Sequence, residues 1–335
     1  MVITMSTYPP ASDARCRVAF LGPRGTFTEQ ALREFVSAGH VPAQAETVEA
    51  AAPGVALKMV RDNHAEFACV ALESSVDGPV AQTEDALVTG DRLQIYHEVI
   101  VPVAFTIMVR PGTKPEDVRT ITTHPVAEAQ VRQWIAKHLP NAQFVPASSN
   151  GAAAQMVAEG GADAAAAPER AREIHGLEAL AQNVADVPGA HTRFVLVGKP
   201  AAPTPRTGND RTGVAFILEN QPSSLLDALT QLSARGVDMS RISSRPLRGV
   251  WNAPGTSEGD LPMSGHYVFH VGLVGHIEDV AVAEALAGLR RVARHVRYLG
   301  SWPASEDVKN RHQGSAPPDF AESAAWVVRL KNGKD

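Results

Sequence analysis

Short apolar segments alternate with amphipathic segments of helical period along the first 200 residues. The segment CRVAFLGPRGTFTEQALREF begins as a strand, turns at Gly22-Pro23 and continues as a helix, and the segments AEFACVALESS, VRTITTHPVAEAQ and NAQFVPASSNGAAA follow the same order. Strands that alternate with helices form mainly parallel sheets, because parallel neighbours need a crossover connection. The sequence therefore predicts an α/β fold for this region.

The pattern changes after residue 200. A segment rich in proline, glycine and threonine, GKPAAPTPRTGNDRTG, predicts a flexible linker. The next ninety or so residues follow the order βαββαβ, which is the pattern of a ferredoxin-like α+β domain with a polar loop at 250–265. We therefore expect an N-terminal extension at 1–16, an α/β domain at 17–200, the linker at 201–211, a second domain at 212–303 and a loose tail at 304–335.

Charge and motif content exclude several classes of protein. The net charge is −5 and no long basic run occurs, so nucleic acid is not an expected partner. No run reaches the ~18 apolar residues of a membrane span. The N-terminal residues do not follow the pattern of a secretory signal. Cys16 and Cys69 are the only cysteines, so a disulfide framework is not expected. We therefore expect a cytoplasmic protein. Metal-binding and dinucleotide motifs are also missing, so we expect no metal and no cofactor.

Polar side chains occur where predicted strands give way to helices. A lone residue of this kind is often only a helix cap or a turn residue. Taken together, hydroxyl and imidazole groups at helix starts, where backbone N–H groups favour anions, predict a pocket for a small polyanion. Thr192 and Arg193 add a hydroxyl and a guanidinium in GAHTRFVLVG, although Thr192 could also be a simple strand residue and Arg193 a solvated one. The other junction residues are Thr26, Glu73, Ser74, Ser75, Thr123, His124, Ser148 and Ser149.

The order and spacing of these motifs resemble the prephenate dehydratase family. The motifs that carry the resemblance are GPRGTFTEQAL, ESSVDGPV, THPVAEAQ and TRF, and the likeness extends over residues 17–303, where the last part resembles an ACT regulatory domain. The chorismate mutase helices of some family members have no counterpart, so we expect a monofunctional enzyme. The chain departs from the family pattern at Ser74, Val126, Ala190, Ser223 and Ser243, where the family has Asn, Gln, Asn, Gly and Glu.

The resemblance implies a fold and an activity. The catalytic region would form two α/β lobes like a periplasmic binding protein, with the substrate in the cleft between them. The reaction would be the dehydration and decarboxylation of prephenate to phenylpyruvate in phenylalanine biosynthesis. Arg193 would hold a carboxylate, Thr192 would donate a hydrogen bond to the leaving oxygen, and Glu73 is a second candidate for the proton donor. Binding residues would be Thr26, Phe27, Ser74, Ser75, Thr123, His124, Ser148, Ser149 and Phe194.

The resemblance also implies regulation. An aromatic amino acid, with phenylalanine as the first candidate, would bind between ACT domains of a homodimer or homotetramer. The effector residues implied are Pro222, Ser223, Ser224, Leu225, Ser243, Ser244, Arg245 and Pro246.

Three alternative functions stay open at this point. An arogenate dehydratase would act on the amino-acid analogue of prephenate. A non-catalytic amino-acid sensor would bind ligands in both regions without turnover. A solute-binding protein would share the lobed fold, although the missing signal peptide and the appended βαββαβ domain disfavour it.

Overall fold

The computed structural model describes residues 16–247, 267–308 and 320–334. The predicted N-terminal extension, the polar loop at 250–265 and much of the predicted tail lie outside these residues. The strands are β1 (Arg17–Leu21), β2 (Glu46–Ala50), β3 (Phe67–Ser74), β4 (Gly78–Pro79), β5 (Gln94–Pro102), β6 (Phe105–Val109), β7 (Thr120–Thr123), β8 (Gln143–Pro146), β9 (Ala164–Ala167), β10 (Glu178–Val184), β11 (His191–Gly198), β12 (Asp210–Ile217), β13 (Met239–Pro246), β14 (Tyr267–Val274) and β15 (His295–Pro303). The α-helices are α1 (Phe27–Ser37), α2 (Pro53–Arg61), α3 (Ala81–Val88), α4 (Pro125–Glu128), α5 (Arg132–His138), α6 (Asn150–Ala158), α7 (Glu169–His175), α8 (Ser224–Ser233), α9 (Val280–Val292) and α10 (Phe320–Lys331).

Two sheets form the two lobes of the catalytic region. The first has the order β2-β1-β3-β11-β5, with β4 paired to β3, and the second has the order β10-β6-β9-β7-β8. The chain enters the second lobe after Pro102 and returns before His191, and the two crossing segments are joined by a 2.8 Å bond from the Val103 N–H to the Ala190 carbonyl. The predicted two-lobed α/β architecture is confirmed.

Helix α1 shows how local sequence builds the first lobe. The hydroxyl of Thr26 accepts a hydrogen bond from the Glu29 N–H at 3.2 Å, which caps the helix. Its buried side, which includes Leu32 and Phe35, packs on β1, β3 and β11. Because Phe194 and Leu196 of β11 belong to the same core cluster, α1 holds one face of the strand that carries the TRF motif.

The third sheet has the order β13-β14-β12-β15 and is antiparallel throughout. Helices α8 and α9 cover one face. The other face packs directly on the first lobe, since Ala215, Ile217, Leu299 and Trp302 share a core cluster with Val195 and other residues of that lobe. The predicted ferredoxin-like order is confirmed, and it is attached to the catalytic region by a continuous apolar core.

Parts of the predicted flexible linker and of the predicted loose tail pack against the third sheet, whereas the described side chains of α10 in the tail are exposed. Thr204 is buried and donates to the Ser301 carbonyl at 3.1 Å. Asp210 already belongs to β12, and its carboxylate accepts from the Gly208 N–H at 2.7 Å. Beyond β15 the chain stays packed as far as Val308, which is 2% exposed. Proline and glycine content indicated flexibility here, but these tertiary contacts outweigh it.

Gly300 provides a test of this close packing. A Cβ at Gly300 would lie 2.3 Å from the Ile95 carbonyl oxygen, and its φ is +133°. We expect Gly300→Ala to lower the free energy of unfolding by about 3 kcal/mol, measured by denaturant titration. Gly176→Ala is the control, because Gly176 has a φ of +63° but nothing within 4 Å, and should cost only about 1–2 kcal/mol. Equal losses for the two variants would contradict a tight contact between the lobe and the third sheet.

Candidate active site

The N-terminal turn of α6 in the second lobe approaches the turn that follows β1 in the first lobe, since a Cβ at Gly151 would lie 2.7 Å from the Arg24 carbonyl oxygen. Ligands of α/β proteins bind beyond the carboxyl ends of strands, so the space between the lobes beside β1, β3 and α6 is the candidate cleft. The ring of Phe27 at the start of α1 contacts Phe105 of the second lobe edge-on, with centroids 5.4 Å apart. Across the same junction the Gln130 side-chain amide donates to the Asp77 carboxylate at 2.9 Å. The predicted site residue Phe27 therefore lies where the lobes touch.

Thr192 lies at the carboxyl end of β3, on the first-lobe side of the candidate cleft. It is the second residue of β11 and pairs with Ser74 of β3 and Val101 of β5. Alternation along the strand puts its side chain on the face of Phe194 and opposite to Arg193. Thr192 is half-buried, and among the described residues its hydroxyl has no hydrogen-bond partner. Phe194 is 2% exposed and packs in the lobe core.

Most of the other predicted hydroxyls are already used by the protein. Thr26 donates to the Leu21 carbonyl and Ser74 to Asp77. Ser75 and Ser149 accept from the N–H groups of His191 and Ala152, respectively. Thr123 is fully buried and donates to the Ala166 carbonyl at 2.6 Å. The prediction that Thr123 contacts a ligand is therefore wrong, because it is a strand residue of the second-lobe interior.

His124 and Ser148 lie just beyond the carboxyl ends of the neighbouring parallel strands β7 and β8, in the second lobe. His124 caps the short helix α4, and its Nδ1 accepts from the Val126 N–H at 3.3 Å. Burial lowers the pKa of His124, which favours the neutral ring. Ser148 is exposed, with no hydrogen-bond partner among the described residues.

Asn150 is a candidate that the sequence analysis missed. It is the first residue of α6, and its side-chain Nδ2 is buried without a hydrogen-bond partner in the structure. The backbone of the first lobe lies close to the next residue, Gly151, since a Cβ there would lie 2.7 Å from the Arg24 carbonyl oxygen. A buried unpaired donor is costly unless a ligand satisfies it. The segment SSNG at a helix start could have indicated this residue.

Arg193 points away from the cleft, which corrects the prediction of a carboxylate clamp. Its guanidinium donates to Glu98 at 2.8 Å and to Glu306 at 2.9 Å, and its side chain is 9% exposed. Burial opposes its charge, but the carboxylates of Glu98 and Glu306 outweigh that effect and raise the pKa of Arg193. Strand alternation is the physical reason, because adjacent residues of β11 face opposite sides of the sheet.

The Glu73 side chain lies on the same side of the sheet as Arg193, away from the candidate cleft, so its predicted role as proton donor does not fit. In the pairing of β3 with β11, Glu73 lies opposite Arg193 and Ala71 lies opposite Phe194, so that Leu72 is an extra residue on β3. This is a β-bulge, and a bulge redirects the side chains beside it. The Glu73 carboxylate lies 3.6 Å from the Arg193 Nε.

The predicted effector residues do not converge within one chain. Ser243 donates to Glu84 at 2.7 Å and Arg245 pairs with Asp85 at 3.0 Å, so both side chains face α3 of the first lobe. Burial raises the pKa of Glu84, while Arg241 and Ser243 oppose that rise. Ser244 lies on the opposite face of β13 and is exposed, and Pro246 is exposed at its end. The other four, Pro222, Ser223, Ser224 and Leu225, lie at the start of α8 on the helical side of the domain.

A small cavity lies between the first lobe and the third sheet. Its volume is about 20 Å³, enough for one water molecule, and Arg193, Arg211 and His270 line it. His270 is 1% exposed, and neither of its ring nitrogens has a hydrogen-bond partner among the residues that the structure describes. Burial, aided by Arg241, lowers the pKa of His270 to about 3.

Metal-binding clusters and membrane-spanning helices are both absent from the described residues. Within the described ranges, no group of three or more His, Cys, Asp or Glu residues could hold a metal ion. Of the helices described, none is both long and apolar enough to cross a membrane.

Comparison with known proteins places these features in a family. The family model for prephenate dehydratase matches residues 18–202. A prephenate dehydratase of Mycolicibacterium vanbaalenii is 48% identical, covering 95% of this chain and 99% of the relative. A crystal structure of prephenate dehydratase from Arthrobacter aurescens in complex with L-Phe is 38% identical, with a TM-score of 0.76, covering 94% of this chain and 99% of that chain. The structure of GqqA, described as a quorum-quenching acylase, is 31% identical with a TM-score of 0.70, covering 86% of this chain and 98% of that chain. The fold alone therefore does not determine the reaction.

The buried His270 predicts a pH-dependent loss of stability. Its folded-state pKa of about 3 lies below the ordinary value of 6.5, so the unfolded chain binds more protons and stability falls as the pH drops below 6.5. We expect His270→Phe to remove a penalty of about 2 kcal/mol at pH 5 that is absent at pH 7.5. Denaturant titrations at both pH values test this, and the difference between them cancels changes in packing. An equal effect of the substitution at the two pH values would contradict the depressed pKa.

Proposed function

The chain belongs to the prephenate dehydratase family, and we propose that its elimination reaction depends on the Thr192 hydroxyl. The protein is a lyase that converts prephenate to phenylpyruvate, water and carbon dioxide. The observation that carries the proposal for Thr192 is its free hydroxyl at the cleft. Thr26, Ser74, Ser75, Thr123 and Ser149 are engaged by the protein, whereas Thr192 is half-buried and has no partner among the described residues.

The chemistry needs a hydrogen-bond donor at the leaving oxygen. As the ring carboxylate leaves as carbon dioxide, the electrons of the broken C–C bond enter the ring, which becomes aromatic and expels the hydroxyl group. One proton must reach that oxygen so that it departs as water. A threonine hydroxyl is a very weak acid, so Thr192 acts as an oriented donor that stabilises the developing negative charge rather than as a free acid.

The carboxylates of prephenate would bind at the second-lobe side of the cleft. Asn150 offers a buried, unpaired Nδ2 donor, and the first N–H groups of α6 lie beside it. Ser148 and His124 flank this helix start as neutral groups. Since Arg193 is committed to Glu98 and Glu306, the dianion would be held by neutral donors and helix dipoles.

Replacement of Thr192 tests the role of its hydroxyl. We expect Thr192→Ala to lower kcat on prephenate by about 10²–10³-fold with little change in KM, because one well-placed donor in the transition state is lost. Thr192→Ser should restore most of the activity. Ser75→Ala is the matched control, because the Ser75 hydroxyl already serves the protein, and should keep kcat within a few-fold. Near wild-type kcat in Thr192→Ala would show that Thr192 is only a strand residue. Measuring kcat/KM on both prephenate and arogenate in the same assay decides the substrate preference.

We further propose that the ferredoxin-like domain is an ACT regulatory domain that binds phenylalanine. Support comes from the Arthrobacter aurescens relative, whose crystal structure contains L-Phe. At the position where the family has glycine, Ser223 adopts a φ of +67°, a conformation that favours glycine. Ser243, in place of the family's glutamate, is bound to Glu84. Both differences predict weaker binding or altered specificity for the aromatic amino acid.

We propose that two copies associate through β13. This strand lies at the edge of the third sheet, and Ile242 and Ser244 are exposed on it. Pairing of two edge strands about a two-fold axis satisfies their free backbone groups and brings two effector regions together.

A charge on the edge strand tests this association. We expect Ile242→Arg to reduce the particle mass measured by light scattering and to weaken phenylalanine binding measured by calorimetry, because a buried charge opposes dimer formation. Val280→Arg is the control, since Val280 is 80% exposed at the start of α9, and should leave both measurements unchanged. An unaltered mass for Ile242→Arg would exclude pairing through β13.

A further inference from the structure

The C-terminal domain comprises the third sheet, α8, α9 and the segment up to Val308. It packs against the face of β11 that is opposite to Thr192. We infer that Arg193 is a positioning residue, through which the C-terminal domain sets the position of the Thr192 hydroxyl; this rests on the function proposed above for Thr192. The two residues are adjacent on β11 but face opposite sides of the sheet. A displacement of the Arg193 side chain therefore acts on the backbone that also carries Thr192.

The guanidinium of Arg193 is fixed by charges from both parts of the protein. Glu98 of the first lobe accepts from its Nη1 at 2.8 Å, and Glu306, which follows β15, accepts from its Nη2 at 2.9 Å. The same Glu306 oxygen also accepts from Arg211 of β12 at 2.7 Å. The Arg193 side chain is 9% exposed and that of Glu306 is 21% exposed, so water does not screen these contacts strongly.

The geometry of Glu98 depends on the C-terminal domain. Its carboxylate accepts from Arg193, from Arg211 at 3.3 Å, from the Trp302 indole N–H at 2.8 Å and from the Ser305 N–H at 3.0 Å. Three of these four donors follow residue 210 in the chain. Glu98 is fully buried and cannot exchange these partners for water. The C-terminal domain therefore sets the position of the carboxylate that holds Arg193.

A second ion pair crosses the same interface but does not belong to the network of Arg193, Arg211, Glu98 and Glu306. Asp85 of α3 and Arg245 of β13 also join the first lobe to the C-terminal domain, at 3.0 Å. Among the described residues, neither member of this pair forms a hydrogen bond or ion pair with β11. It provides a matched control, because its loss loosens the interface without releasing Arg193.

Steady-state kinetics of four single variants and one double variant test the inference. Arg193→Lys keeps a positive charge but cannot bridge two carboxylates. Glu306→Gln removes one charge of the network while preserving shape, and Trp302→Phe removes the indole N–H that donates to Glu98 together with part of a buried ring. We expect kcat on prephenate to fall by about 10-fold in Arg193→Lys and less in the other two, with KM within about twofold of wild type. The double variant Arg193→Lys/Glu306→Gln should lose little more than Arg193→Lys alone, since both changes act in one network. Asp85→Asn should keep the wild-type kcat.

Several results would overturn the inference. A raised KM with unchanged kcat in Arg193→Lys would mean that Arg193 contacts the substrate. Equal losses of kcat in Asp85→Asn and Glu306→Gln would mean that any loosening of the interface has the same effect. If Arg193→Lys does not fold, the same comparison is made with Glu306→Gln and Trp302→Phe, and unchanged kcat in both would refute the positioning role.

Phenylalanine adds a second measurement. Glu306→Gln should weaken the effect of phenylalanine on kcat while its calorimetric affinity stays within about twofold of wild type, because the network transmits the signal and does not bind the effector. An unchanged phenylalanine effect in Glu306→Gln would refute transmission through this network. If wild-type protein binds no phenylalanine, the regulatory proposal fails, and the kcat and KM comparison still decides the role of Arg193. Failure of Thr192→Ala to lower kcat would instead refute the function proposed for Thr192.

Discussion

The buried carboxylate of Glu98 is the interaction on which the rest of the structure depends. It accepts hydrogen bonds from β11, from β12 and from the segment after β15, and it has no exposed surface. An uncompensated charge in this environment is strongly destabilising, so the strands that supply its partners are held in one arrangement. The TRF strand is therefore fixed at the point where the catalytic lobe meets the C-terminal domain.

This arrangement separates two tasks between adjacent residues. Thr192 faces the side of the candidate cleft with a hydroxyl that has no partner among the described residues, and Arg193 faces the interface with its charge paired. A β-bulge at Leu72 and Glu73 keeps the Glu73 carboxylate beside Arg193, so that it too lies on the interface side. In the function proposed above, the substrate would then meet neutral donors, namely Thr192, Asn150 and the helix starts around them.

The order of elements could be predicted from the sequence, because strand and helix periodicity is a local property. The same alternation implies that Thr192 and Arg193 face opposite sides of β11, so the predicted clamp role for Arg193 conflicted with information already present. Its partners Glu98 and Glu306 were not predictable, since they are 95 and 113 residues away in the chain. The packed segment at Thr204 and Asp210 was missed for the same reason, because composition indicates flexibility and only the folded partners show otherwise.

A structure of the enzyme with a bound prephenate analogue that retains the ring hydroxyl and both carboxylates would show which groups Thr192 and Arg193 contact. The account predicts that the hydroxyl oxygen of the analogue lies within hydrogen-bond distance, about 2.6–3.2 Å, of the Thr192 Oγ1. It also predicts that Arg193 stays paired with Glu98 and Glu306 while the carboxylates of the analogue lie near Asn150 and the start of α6. A carboxylate of the analogue bound to the Arg193 guanidinium, with the Glu98 pair broken, would contradict the account.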